Sequence, residues 1–142
     1  MKTMNSIAMM LAAAIGLGST GLYAQNKVEA NIPFDFTVKG KTMPAGRYQL
    51  ARNLSAPDTI EISNVSGGRS VLVVTYKALT AEPGAVEPRI VFNQYGNRYF
   101  FSELWTSDGA ERSVTPAKME QELKASTTPK KAPRITVAAV DN

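Results

Sequence analysis

Two carboxylates stand where they could do acid–base work: Glu103, between Phe101 and Trp105 along the chain, and Asp35, between Phe34 and Phe36. A glycoside hydrolase needs such a pair across one cleft, one carboxyl held protonated and the other ionised. Carboxylates are the only usable groups, because the chain has no histidine and no cysteine. That composition excludes disulfides, iron–sulfur clusters, thiolate zinc sites, a cysteine nucleophile and an imidazole base. Alternation turns Asp35 outward, and Glu103 can satisfy itself on Arg98 or a lysine. The residues therefore favour a chain that is not an enzyme and that carries no cofactor or metal motif, with a carboxylate-dependent carbohydrate enzyme as the competing reading.

The same stretch offers a binding surface. Tyr99, Phe101 and Trp105 recur at odd positions and would form a strip of rings framed by Gln94 and Glu103, the kind of surface on which sugars or peptides lie. Its alternative is that these rings are half of a sandwich core. Trp105, at the strand end, is expected to be the most exposed of them.

The elements that must position these groups are strands. From residue 27 to residue 38 the apolar side chains Val28, Ala30, Ile32, Phe34, Phe36 and Val38 fall on even positions, a period of two that gives one buried face. Pro33 cannot donate to a ladder and marks a bulge or a change of partner. Met43-Pro44-Ala45-Gly46 makes a corner into a second strand, and Ile60-Glu61-Ile62-Ser63 alternates as a half-exposed third. The run over 70–77 leaves almost no polar face and predicts a central strand covered on both sides. Residues 81–88, with two prolines and a glycine, read as a surface loop.

The clearest hairpin signal is Gly96-Asn97, a two-residue connection between 90–95 and 98–105. It pairs Tyr95 with Arg98, Gln94 with Tyr99 and Phe92 with Phe101. Uninterrupted alternation then puts Ile90, Phe92, Tyr99, Phe101, Glu103 and Trp105 on one face. Val91, Tyr95, Phe100 and Leu104 take the other.

Over 115–125 a short helix is expected, with Thr115 as N-cap, Pro116 at its first position, Val114 and Met119 as a hydrophobic staple, and Glu120 paired with Lys124. Residues 126–142 read as a flexible basic tail through Pro129-Lys130-Lys131-Ala132-Pro133-Arg134. It ends in the apolar segment Ile135-Thr136-Val137-Ala138-Ala139-Val140, which could lend a strand to an exposed sheet edge in this molecule or a neighbour.

Residues 1–24 have the form of a secretory signal peptide: Lys2, an apolar run over 7–17, then small and turn-forming residues. Export to the periplasm or cell exterior is expected, with no membrane span left after cleavage. The length of 142 residues suits one domain, and a net charge of +4 without a basic stripe gives no case for nucleic acid.

Ile32-Pro33-Phe34-Asp35-Phe36-Thr37-Val38 with Lys41-Thr42-Met43-Pro44-Ala45-Gly46-Arg47-Tyr48, and Tyr95-Gly96-Asn97-Arg98-Tyr99-Phe100 with Trp105, resemble a family of small exported bacterial proteins without assigned function. The resemblance spans residues 27–124 and implies a secreted β-rich domain with no catalytic residues to carry over. Relatives often have a histidine where this chain has Asn93, so any imidazole role there is absent.

The expectation is an all-β, single-domain antiparallel β-sandwich of about seven strands over residues 25–114, with a small closed barrel as its alternative. The short helix and tail follow it. The expected function is that of an envelope or extracellular binding module, contacting an envelope polymer or protein through the aromatic hairpin.

Overall fold

The computed structural model describes residues 27–77, 87–127 and 132–141. The expected leader over 1–24, most of the loop over 81–88 and the middle of the tail lie outside them.

Alternation sets the first strand as expected. β1 (Lys27–Ile32) buries Val28, Ala30 and Ile32. At Pro33 the chain leaves its first sheet, and β2 (Phe36–Val38) belongs to the second, where it meets β3 (Lys41–Met43) and, through Thr37 opposite Phe100, runs parallel to the hairpin. Proline thus marks a change of partner. The exposed Asp35 carboxylate accepts the Ala45 N–H at 2.8 Å and ties this crossing to the next corner.

The first sheet continues with β4 (Gly46–Arg52), β5 (Thr59–Asn64) and β6 (Ser70–Val74). The second contains β7 (Tyr76–Lys77), β8 (Arg89–Tyr95), β9 (Arg98–Trp105) and β10 (Glu111–Ser113). After α1 (Lys118–Ser126) come β11 (Arg134–Ala138) and β12 (Val140–Asp141). The sheet orders are β12-β1-β4-β5-β6 and β11-β8-β9-β10-β7, the latter with β2 and β3 branching from β9. The two sheets pack as a sandwich with no closed barrel. The described residues hold more strand segments than the seven expected, because the crossings at Pro33 and Thr75 each divide one run into two, β3 forms where a turn was expected, and the tail adds β11 and β12.

Between the sheets lie the even-numbered side chains of β1 and β2 with Tyr48, Leu50, Ile60, Ile62, Ile90, Phe92 and Phe101. Phe36 meets Tyr48 and Phe92 edge-on at 5.0 and 5.3 Å. Tyr48 reconciles its hydroxyl with full burial by donating to the Pro44 carbonyl at 2.6 Å.

Three expectations are corrected. β6 is an edge strand with Leu72 and Val74 exposed, not a central one; its odd residues Val71 and Val73 fill the core, and among the described residues no element covers its outer face. The helix begins at Lys118 behind an Ala117 cap that makes no side-chain bond, not at Thr115. The Val114 N–H donates to the Ser102 carbonyl at 3.0 Å, which keeps the chain extended past the end of β10. Within the helix, Glu120 turns inward instead of pairing on the surface, and Lys118 takes Glu122 at 3.9 Å.

The third correction concerns the tail, whose last residues are not flexible. β11 adds to β8 with Ile135 opposite Phe92 and Val137 opposite Ile90, and β12 adds to β1. The apolar end of the chain therefore lends its strand within the molecule. One segment covers an edge of both sheets.

Candidate functional site

The hairpin turn forms as its two residues dictate. Gly96 has φ 62 while Asn97 does not adopt positive φ, the pattern of a type II′ turn. Tyr95 faces Arg98, Gln94 faces Tyr99 and Phe92 faces Phe101, as expected. Beyond Phe101 the register shifts: Val91 pairs with Glu103, so Ser102 is an extra residue, a β-bulge. Its carbonyl is the one that receives Val114.

A one-residue insertion reverses the faces of everything after it. Tyr99 and Phe101 point toward the core side, Tyr99 stacked on Phe34 at 3.9 Å and Phe101 against Phe92 at 6.1 Å. Gln94 stays beside Tyr99, donating to its hydroxyl at 3.4 Å and to the Gly96 carbonyl at 2.9 Å. Glu103 and Trp105 emerge on the opposite face. The five side chains expected to form one binding strip are thus split between two surfaces.

On the outer face, Trp105 lies between Arg89 and Glu111 across the strands, and Glu103 lies between Val91 and Ser113. The Arg89 guanidinium covers the indole at 4.4 Å from the ring centre, which leaves Trp105 only 7% exposed. The indole N–H donates to Glu103 Oε2 at 3.0 Å, and Glu103 Oε1 pairs with Arg134 of β11. Both Glu103 oxygens are thus held by structural partners, the indole and a guanidinium. Asp35 lies elsewhere, on the corner before β2, so the two carboxylates do not share a cleft. Glu111 is buried and accepts the Ser113 hydroxyl at 2.8 Å. These side chains and Thr136 line a polar cleft of about 540 Å³ whose two guanidiniums and two carboxylates cancel.

The other half of this outer face is covered by α1. Glu120 accepts from the Asn93 amide at 3.0 Å and from the Tyr95 hydroxyl at 3.4 Å. Burial raises the carboxyl's pKa above its ordinary value, against the opposing pull of those two donors and of Lys124. Tyr95 is raised as well, by burial and then by the neighbouring carboxylate. Asn93 and Tyr95 are thus contacts of the sheet with the helix.

The chain matches no family model, no curated protein and no solved structure.

A further surface, which the sequence reading did not single out, runs along β6. Asn64 N–H donates to the Arg69 carbonyl at 2.8 Å and Thr75 N–H to the Asp58 carbonyl at 2.7 Å, so the odd residues of β6 direct their backbone groups to β5. By the antiparallel alternation, Ser70, Leu72 and Val74 present theirs to the open edge. Leu72, Val74 and Tyr76 are 50%, 65% and 52% exposed.

Beside this edge lies a groove of about 440 Å³, mainly apolar, with Val73, Phe100, Phe101 and Val114 among its lining and Lys39 and Glu120 as its basic and acidic residues. A second cleft, of about 580 Å³, lies at the start of β6, lined by Gly68, Arg69 and Ser70 and by the β3 residues Lys41, Thr42 and Met43. Among the described residues β3 pairs only with β2. The open edge of β6 is flanked by the groove at its end and by this second cleft at its start. The only signal for it in the sequence was the string of apolar side chains at 72, 74 and 76, which a covered strand would share.

Proposed function

We propose that this chain is an exported, non-enzymatic interaction module of the envelope or extracellular space, and that it holds an extended segment of a partner polypeptide in the groove beside the open edge of β6. One observation carries the reading: a strand edge with unpaired backbone groups and exposed Leu72 and Val74 lies against an apolar groove. Isolated exposed apolar side chains are ordinary, but a row of them on an open edge is what other strands add to. Export is supported by the form of residues 1–24 and by the motif resemblance. A non-enzymatic role is supported by the lack of histidine and cysteine and by the engagement of Glu103.

Leu72→Pro removes one groove-facing N–H from an edge position where proline is tolerated. In a screen of short extended peptides, the reading requires at least one that shifts the amide resonances of Ser70, Leu72 and Val74. That peptide must fail to bind the proline variant. A screen in which no peptide perturbs those amides, or in which the variant binds equally well, overturns the reading.

A further inference from the structure

Lys39, Lys41, Arg69 and Lys77 are exposed around the open edge of β6, and none of them has an ion-pair partner among the described residues. Lys39 lines the apolar groove, Lys41 and Arg69 line the separate cleft at the start of β6, and Lys77 follows Tyr76 at the other end. The Arg112–Asp58 pair at 3.1 Å lies beside Lys77, which stands opposite Arg112 across β7 and β10, but does not include it. Unpaired cations around an apolar floor define a complement.

We infer that the partner segment is a short β-forming run of apolar residues flanked at both ends by carboxylates. This rests on the strand-holding function proposed above and names what the groove selects. A guest strand paired with β6 would place alternate side chains toward Phe100, Phe101 and Val114 and the others beside Leu72 and Val74. Both of its faces must therefore be apolar over about four or five residues, the length of β6 itself. Its ends would lie near the cations, where carboxylates gain and amines lose. A second copy of this chain is disfavoured by the same charges, since pairing β6 with β6 would bring two basic rims together. A polyanion without apolar side chains would satisfy the rim and leave the groove floor in water.

The test titrates the purified chain, labelled for amide resonances, with a nine-residue peptide holding a five-residue Val/Ile/Thr run between paired carboxylate residues. The comparison probes are the same peptide with lysines at its ends and polyglutamate. Each exposed ion pair contributes about twofold, so four favour the acidic peptide over the basic one by roughly tenfold or more at low salt, less as salt rises. Shifts should centre on Ser70, Leu72 and Val74, and polyglutamate should leave them unmoved. The double variant Arg69→Glu, Lys77→Glu alters only exposed side chains and, with two cations left against two carboxylates, should abolish the preference between the two peptides.

Equal binding of the acidic and basic peptides at those amides would overturn the charge selection and leave the strand-holding function standing. Failure of both to perturb the edge would overturn the strand-holding function itself. Tight binding of polyglutamate would replace a strand partner by a polyanion, and dimers of the chain alone at titration concentrations would replace it by a second copy.

Discussion

Glu120 accepts a hydrogen bond from Asn93 at 3.0 Å, and through that contact the only fully buried side chain of α1 is a carboxyl group. Burial raises its pKa, so the folded state binds the proton more tightly than the unfolded chain does. The stabilisation associated with this group is therefore complete below its ordinary value of 4.5 and is lost as pH rises through the raised folded value. The helix should hold the sheet more firmly in mild acid than at neutral pH. Glu120→Gln, which has no proton to lose, should flatten that part of a stability-against-pH curve measured by urea unfolding. Glu120→Ala leaves Asn93 and Tyr95 short of a partner and should cost about 1 to 3 kcal/mol.

The C-terminal strand should be part of the fold's stability, not an appendage. Val137 is 9% exposed and sits opposite Ile90, while the β12 pairing closes the free side of β1. Deleting everything after Ser126 removes a buried valine side chain and uncovers two sheet edges. Loss of the valine burial alone is worth about 1.5 kcal/mol or more. Urea unfolding should show a drop at least that large, and the truncated chain should self-associate where the full chain does not.

Arg89 should control the environment of the sole tryptophan. Removing it by Arg89→Ala takes the cover off one face of Trp105 and forfeits about 0.5 to 1 kcal/mol of cation–π attraction. The emission maximum should move to the red and acrylamide should quench it more readily. Unchanged quenching would mean that the indole is shielded by something other than the guanidinium.

Local patterns in the sequence carried the first strand, the sheet change at Pro33 and the hairpin register, because alternation and a Gly-Asn turn are decided by neighbouring residues. The bulge at Ser102 was not legible: its cause is a bond from Val114, twelve positions away. One inserted residue was enough to divide Tyr99 and Phe101 from Glu103 and Trp105. β6 was misplaced for a related reason, since an apolar run has the same composition whether a sheet covers both its faces or only one. Glu120 was assigned to the surface because helical spacing to Lys124 is visible in the chain, whereas Asn93 and Tyr95 are brought to it only by the hairpin. The strand-lending capacity of residues 135–140 could be seen, but not which edges would receive it.

Lys39 is the described non-glycine residue with positive φ, at 50, and with Gly40 at 75 it forms the primed turn between β2 and β3. Lysine is strained there, by about 1 kcal/mol relative to residues that tolerate the left-handed region, and Asn-Gly is the pair such turns favour. Lys39→Asn should therefore raise stability by about 0.5 to 1 kcal/mol in urea unfolding. The same residue lines the groove as one of its rim cations. If the rim selects carboxylates, the stabilised variant should bind the acid-flanked peptide about twofold less tightly while its affinity for the lysine-flanked peptide rises. A strained residue whose replacement stabilises the fold and weakens binding would identify the strain as a cost retained for the groove. A variant that is stabilised with both affinities unchanged would show that Lys39 plays no part in selection.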